Sequence, residues 1–182
     1  MPVTSHEFLR LNDADLLHQC DVHVYKSSGP GGQHRNKVSS AVRLLHRPTG
    51  TTAHGDESRS QHQNKAAAIR RLRMNIACRL RSPPDLAPGG AVPAVVRECL
   101  FVPRGGQSVS PQRLQVGRKD RRFWPVAAAL LDILEAFEGR ISDAAAWLGI
   151  TTSNLVSTFQ DDRHLLAAAQ AMRKKHGHPP IK

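Results

Sequence analysis

The sequence predicts an α+β fold, in which a small antiparallel sheet with a long packed helix precedes an all-helical C-terminal module resembling a helix-turn-helix. Three observations support this prediction. Short strand-like segments separated by turn residues occupy the first part of the chain. A long segment with apolar residues at helical spacing follows them. The last third consists of apolar helical segments that begin at capping residues and are separated by glycine.

The N-terminal elements are predicted in chain order. Residues 12–17 form a short helix that begins at an Asn or Asp cap. Strands follow over residues 21–26, 41–46 and 51–54, with a Pro/Gly turn over residues 47–50 joining the last two. A helix over residues 60–80 has its apolar stripe at Ile69, Leu72, Ile76 and Leu80 and ends before two consecutive prolines.

The chain divides into a domain over residues 1–84, a linker over residues 85–122 and a helical module over residues 123–182. Proline and glycine mark the linker, which has one strand-like segment at 95–102. The module has predicted helices over residues 124–137, 142–149, 151–159 and 162–175. Residues 145–155 have helix-turn-helix spacing, but residues 153–159 contain no Lys or Arg, which argues against a duplex DNA reader.

Positive charge is concentrated in one part of the chain. The formal net charge is +11, and residues 22–84 hold twelve Lys/Arg against two acids, whereas residues 126–182 hold six of each. Such a concentration favours a polyanionic partner over a merely basic, soluble surface.

The cysteines and the hydropathy exclude several classes of protein. The three cysteines are far apart and form no C-x-x-C pair, which argues against a disulfide framework and a metal site. No stretch has the length of a membrane span, and the N-terminus lacks the pattern of a signal peptide. We therefore expect a reduced, cytoplasmic setting without contact with a membrane.

Residues 28–37 read Ser-Gly-Pro-Gly-Gly-Gln-His-Arg-Asn-Lys. This composition predicts a loop with an unusual backbone path, since glycine reaches positive φ without a steric clash. Exposed N–H groups beside cations suit an RNA end or another oxyanion, although a plain surface loop remains the alternative. A second Gly-Gly-Gln, at residues 105–107, lacks the flanking residues, and we interpret it as coincidence.

Three segments together are similar to the catalytic domain of class I peptide chain release factors. They are Ser28-Gly29-Pro30-Gly31-Gly32-Gln33-x-x-Asn36-Lys37-x-Ser39-x-Ala41-Val42-Arg43-Leu44, His46-x-Pro48-Thr49-Gly50 and Glu57-x-Arg59-Ser60-Gln61-x-x-Asn64-Lys65. The resemblance covers residues 22–80. The size of the chain resembles that of release-factor-like ribosome-rescue hydrolases, which lack codon-recognition domains.

The resemblance implies ribosome-dependent hydrolysis of the peptidyl-tRNA ester, without a stop codon and without a cofactor. Gly31, Gly32 and Gln33 would be the catalytic residues, with the Gln33 N–H stabilising the oxyanion. Its partners would be the large-subunit peptidyl transferase centre with its rRNA, the peptidyl-tRNA 3′ end and a methyltransferase that modifies Gln33. The residues implied to contact RNA are Ser28, His34, Arg35, Asn36, Lys37, Arg43, Arg59, Gln61 and Lys65.

Two features depart from that pattern and leave alternatives open. Arg35 stands where the family commonly has a small apolar residue. The C-terminal module is helical and neutral, whereas the rescue hydrolases end in a basic tail. The alternatives are a ribosome- or RNA-binding protein without activity, and a helix-turn-helix DNA-binding regulator, which the missing cations disfavour.

Overall fold

A computed structural model describes residues 4–26, 39–84, 91–102 and 112–181. The chain divides into two compact units. The first contains residues 7–77, and the second contains residues 4–6 together with the chain from residue 78 onward.

Two short helices precede the sheet of the first unit. Helix α1 (Ser5–Arg10) was not predicted, because six residues with only two consecutive apolar positions give no readable period. Helix α2 (Asp13–His18) follows the predicted cap, since the Asn12 side chain accepts a hydrogen bond from the Asp15 backbone N–H at 2.9 Å.

The sheet of the first unit has the predicted antiparallel strands. They are β1 (Cys20–Tyr25), β2 (Ala41–His46) and β3 (Thr51–Gly55), in the spatial order β1-β2-β3. One face of the sheet is buried, with Val42, Leu44 and Ala53 at 2% exposure or less. Alternation along the strands places His23, Arg43 and His54 on the opposite face.

Helix α3 (Gln61–Arg79) confirms the predicted long helix to within one residue at each end. Ile69, Leu72 and Ile76 of the predicted stripe are buried, and Leu80 lies just beyond the helix. Gly55 shows how closely β3 approaches this helix. A Cβ built on Gly55 would lie 2.0 Å from the carbonyl oxygen of Asn64, so only glycine fits there.

The second unit begins with a segment that differs from the predicted linker. The strand expected over residues 95–102 begins only at residue 100, because Pro93 precedes a helical turn, α4 (Ala94–Arg97), in which Val96 is fully buried. Strand β4 (Leu100–Phe101) follows and pairs antiparallel with β5 (Arg113–Leu114). Cys99, Leu114 and Val116 also join the hydrophobic core of this unit, so the described part of the segment is packed.

Four helices complete the second unit and confirm the predicted helical module. They are α5 (Phe123–Ala136), α6 (Ile141–Leu148), α7 (Thr152–Gln160) and α8 (Arg163–Lys175). Thr151 and Asp162 cap α7 and α8 with their side chains. Gly149 ends α6 at φ 70°, a left-handed conformation that glycine adopts without a Cβ penalty. The β4–β5 pair lies within the range predicted as the linker, ahead of the helical module.

Across the described ranges, no helix combines the length and the apolar character that crossing a membrane requires.

Candidate functional site

The predicted catalytic residues lie outside the described residues. This holds for Gly31, Gly32 and Gln33, and for five of the residues implied to contact RNA: Ser28, His34, Arg35, Asn36 and Lys37. The structure instead describes the chain on both sides of them, up to Lys26 and again from Ser39.

The two ends of this segment lie at one end of a strand pair. Strands β1 and β2 are paired along their whole length, from Cys20↔His46 to Tyr25↔Ala41. The segment that carries Gly31-Gly32-Gln33 therefore connects the adjacent ends of two hydrogen-bonded strands. The ladder fixes the spacing of those ends, since opposite Cα atoms in an antiparallel pair lie about 4.5–5.5 Å apart.

Asn64, in the first turns of α3, is 1% exposed. Its side chain connects the backbone just before β2 to this helix. Its Nδ2 donates to the carbonyl oxygens of Ser40 at 2.7 Å and Ser58 at 2.8 Å. Its Oδ1 accepts from the Ser58 N–H at 2.8 Å. Both amide hydrogens are thus used, and the orientation of the amide is fixed by two acceptors on one side and one donor on the other.

The chain entering α3 is held by further side-chain hydrogen bonds. The Ser60 hydroxyl accepts from the Gln63 backbone N–H at 3.4 Å, as a capping residue does, and the Ser58 hydroxyl accepts from the Ser60 N–H at 3.0 Å. Three residues implied to contact RNA lie here: Arg59 and Gln61 are exposed, and Lys65 is half-buried.

The structure separates arginines that support the fold from those that do not. Arg47 pairs with Asp21 at 2.9 Å, and Arg73 pairs with Asp13 at 2.8 Å while also donating to the backbone oxygens of Leu9 and Leu11. Arg71 pairs with Asp56 and Glu57. In contrast, Arg43, Arg59 and Lys65 form no ion pair with any residue that the structure describes. Their charges remain available to an external anion.

Arg43 lies at the centre of a polar row on the open face of the sheet. It is opposite His23 on β1 and His54 on β3, and all three side chains are exposed. The Tyr25 hydroxyl lies 3.3 Å from His54 Nδ1. A cation flanked by imidazoles and a phenol suits the phosphates and bases of RNA. The sequence analysis identified Arg43 but missed both histidines, whose alignment with it depends on strand register.

The described cysteines are not activated nucleophiles. Burial raises the pKa of the Cys20 and Cys78 thiols to about 11, and it also raises the pKa of Cys99. Because the thiolate is the reactive form, these three thiols are unsuited to nucleophilic catalysis at neutral pH. Among residues 4–26, 39–84, 91–102 and 112–181, no group of His, Cys, Asp and Glu is arranged to hold a metal ion.

Helices α6 and α7 follow one another across a connection of three residues, within the segment whose spacing indicated a helix-turn-helix. Asn154 of α7 fastens β5 to this pair, since its side chain accepts from the Leu114 N–H at 2.7 Å and donates to the Leu114 oxygen at 3.0 Å. Helix α7 contains neither Lys nor Arg. The helix that would enter a DNA groove therefore lacks the charges that bind phosphates.

Sequence comparison relates the part of the chain that contains the sheet and α3 to a known family. Residues 10–83 match the RF-1 domain family. Peptide chain release factor 1 of Acidovorax sp. (strain JS42) is 46% identical over 77 residues, which are 42% of this chain and 20% of that protein. The proteins of the same name from Albidiferax ferrireducens and Acidiphilium cryptum are 47% identical over 68 residues and 42% identical over 76 residues. These alignments cover 37% and 42% of this chain, and 18% and 20% of those proteins.

Residues 10–83, which contain the sheet and the long helix, are similar to the RF-1 domain of class I release factors, and this similarity confirms the resemblance seen in the sequence. The chain spans about one fifth of the length of the curated relatives it matches.

Proposed function

We propose that this chain hydrolyses the ester between a nascent peptide and its tRNA on the large ribosomal subunit, and that it rescues stalled ribosomes without a stop codon. The observation that carries the proposal is the match of residues 10–83 to the RF-1 domain, with Gly31-Gly32-Gln33 inside the matched range. The paired strand ends on either side of this tripeptide support it, because they give the connection a rigid base.

In this proposal, water attacks the carbonyl carbon of the ester, and the bond to the tRNA 3′ oxygen breaks. The products are the free peptide acid and the tRNA hydroxyl, so no co-reactant besides water is needed. The backbone N–H of Gln33 stabilises the developing oxyanion, and its side chain places the water. Gly31 and Gly32 allow the backbone to approach the tRNA end closely.

Cations beside the loop hold the chain on ribosomal RNA. Arg43 and Arg59 are exposed, and neither is paired within the described part of the protein. Together with Lys65 and Gln61, and with Ser28, His34, Arg35, Asn36 and Lys37 of the loop, they supply donors for phosphates and bases. This binding releases counterions and therefore weakens as salt rises.

The experiment measures peptide release from purified stalled ribosomes under three conditions: an empty A site, a sense codon and a stop codon. Gln33→Pro removes the proposed N–H donor, whereas Gln33→Ala retains it. We expect Gln33→Pro to lower the rate constant by about 10²–10³-fold, the usual cost of one oxyanion donor. Gln33→Ala is expected to cost less.

The chain offers a matched control in its second Gly-Gly-Gln. Gln107→Pro makes the same substitution in this second tripeptide, which lies outside the matched range, and we expect release at the wild-type rate. If the wild type binds ribosomes but releases no peptide from any of the complexes, the chain is a binding protein without hydrolase activity. Release confined to stop codons would refute the rescue role.

Methylation of Gln33 by a dedicated glutamine methyltransferase is part of the same proposal. Mass spectrometry of the protein from its native cells is expected to show a peptide containing Gln33 heavier by one methyl group. The peptide containing Gln107 is the internal control. An unmodified Gln33 peptide would remove the methyltransferase from the proposal without affecting hydrolysis.

A further inference from the structure

Asn64 is a polar residue in a position that helical periodicity assigns to the core. It precedes the buried positions Ala68, Ile69, Leu72 and Ile76 on α3 and is itself 1% exposed. A buried amide is costly unless its hydrogen-bonding groups are satisfied. Its presence on the apolar face therefore indicates that it makes hydrogen bonds that an aliphatic residue could not make.

The hydrogen-bond partners of Asn64 indicate its structural role. Ser40 is the last residue before β2 and follows closely after the segment that carries Gly31-Gly32-Gln33. Ser58 lies in the chain entering α3. The Asn64 side chain bonds to the main chain of both residues, at 2.7 Å to Ser40 and 2.8 Å to Ser58. The Ser40 hydroxyl adds a bond to the Ser58 oxygen at 3.3 Å.

These hydrogen bonds fix the backbone just beyond the last paired residues of β1 and β2. Tyr25 and Ala41 form the last pair of β1 and β2, so the backbone at Ser40 is beyond the ladder. Asn64 extends the fixed region by one residue toward the segment and ties it to a five-turn helix. The Asn64 backbone is itself constrained, because its carbonyl oxygen lies against Gly55.

We infer that Asn64 is a positioning residue for the proposed hydrolysis, because it fixes the backbone from which the Gly31-Gly32-Gln33 segment extends. This inference rests on the proposed function. Its role is indirect, since Asn64 is buried and cannot contact the tRNA. An aspartate has nearly the same shape, but it would replace both donated hydrogens with an oxygen facing two carbonyl oxygens.

The test compares Asn64→Asp with Asn75→Asp in the full-length chain. Asn75 is the matched control because its Nδ2, on the same helix, donates to the Thr52 oxygen at 2.8 Å, in the sheet but remote from the segment. Peptide release is measured against protein concentration, with each variant's folded fraction determined by circular dichroism. We expect Asn64→Asp to lower the maximal rate constant about 10–100-fold at an unchanged half-saturating concentration, which is the signature of misplaced groups.

A purely structural role predicts a different pattern. Equal maximal rate constants for the two variants, corrected for folded fraction, would overturn the inference while leaving the proposed function in place. No release by wild-type protein would instead defeat the proposed function, and that result is distinct because it does not involve Asn64.

A measurement on the wild-type chain keeps the inference testable if Asn64→Asp does not fold or if no release occurs. In two-dimensional NMR, both Nδ2 hydrogens of Asn64 are expected to exchange with solvent at least about tenfold more slowly than those of the exposed Gln61, because both are donated and buried. Exchange of the Asn64 amide at the Gln61 rate would overturn the anchoring role.

Discussion

The guanidinium of Arg47 donates to the carboxylate of Asp21 over 2.9 Å. Its other terminal nitrogen donates to the His18 carbonyl oxygen at 2.7 Å. Arg43, on β2 and four residues earlier in the chain, has no such partner among the described residues. Two exposed arginines close in sequence therefore differ in whether they form an ion pair within the fold.

This difference predicts which arginine contributes to the proposed binding to the ribosome. We expect Arg43→Gln to weaken binding to large ribosomal subunits and to reduce the slope of log affinity against log salt concentration by about 1, as the loss of one phosphate contact should. Arg47→Gln is the control, with an expected slope equal to that of the wild type. Filter binding over a series of salt concentrations measures both. Equal slopes for all three proteins would show that Arg43 does not contact phosphate.

The close approach of β3 to α3 predicts a severe effect of a small substitution. Gly55→Ala places a Cβ 2.0 Å from the Asn64 carbonyl oxygen, so strand and helix must separate. We expect a loss of about 1–3 kcal/mol in the free energy of unfolding, the usual cost of forcing an extra methyl group into packed structure. Urea denaturation followed by circular dichroism measures it.

Gly117→Ala is the matched control for this clash. A Cβ on Gly117 meets no atom within 4 Å, and its φ lies outside the left-handed region. We expect its urea midpoint to stay near that of the wild type. A comparable loss in both variants would mean that the effect at Gly55 is general to glycine replacement and has no relation to the contact with α3.

The sequence analysis predicted the elements whose signals are local. Helix α3 has apolar residues at helical spacing from Ile69 to Ile76 and is followed by two prolines, and both of its ends were predicted within one residue. Strand β2 was predicted with its observed bounds. The valines at 95 and 96 misled the prediction, because β-branched residues favour strands, whereas Pro93 and the burial of Val96 select a helical turn.

The site was predictable only where it is contiguous in sequence. The loop motif was identified from its own residues, and Arg43 and the residues near Arg59 were implied by the resemblance to release factors. The role of Asn64 depends on Ser40, which lies 24 residues earlier, and the alignment of His23 and His54 with Arg43 depends on strand register. Asn64, a polar residue within the apolar stripe of α3, was the signal available in the sequence, but its hydrogen-bond partner can be identified only from the tertiary structure.

A buried carboxylate in the second unit predicts a large loss of stability on neutralisation. Asp132 of α5 is 1% exposed, and its oxygens lie 3.0 Å from Arg81 Nη1, 2.9 Å from His6 Nε2 and 3.0 Å from the Ser82 backbone nitrogen. Burial lowers the pKa of Arg81, and the charge of Asp132 opposes that shift. Asp132→Asn removes the carboxylate charge beside this guanidinium, and we expect a loss of about 3–5 kcal/mol in the free energy of unfolding, measured by urea denaturation.

The exposed pair of Asp21 and Arg47 provides the comparison for Asp132. Its two side chains are 44% and 51% exposed, so solvent screens the attraction. We expect Asp21→Asn to change the free energy of unfolding by less than about 1 kcal/mol. An equally small change for Asp132→Asn would show that the buried network contributes no more than a surface ion pair.

A buried histidine predicts how stability depends on pH. His46 is fully buried, with Nδ1 2.8 Å from the Thr49 hydroxyl and Nε2 3.1 Å from Gln19 Oε1. Burial, and secondarily the charge of Arg47, lowers the pKa of His46 below its ordinary value of 6.5. Below pH 6.5 the unfolded chain therefore binds a proton that the folded chain excludes, and stability is lost as pH falls toward the folded-state pKa.

The measurement compares the free energy of unfolding at pH 7.5 and pH 5.5 for the wild type and for His46→Gln, which cannot titrate. Each unit by which the folded-state pKa is lowered contributes about 1.4 kcal/mol once the pH is below both pKa values. We expect the wild type to lose more stability between the two pH values than the variant, since the other histidines contribute equally to both. Parallel losses would show that the pKa of His46 is not lowered on folding. A smaller loss in the wild type than in the variant would mean that the folded protein binds the proton more tightly, reversing the sign of the shift.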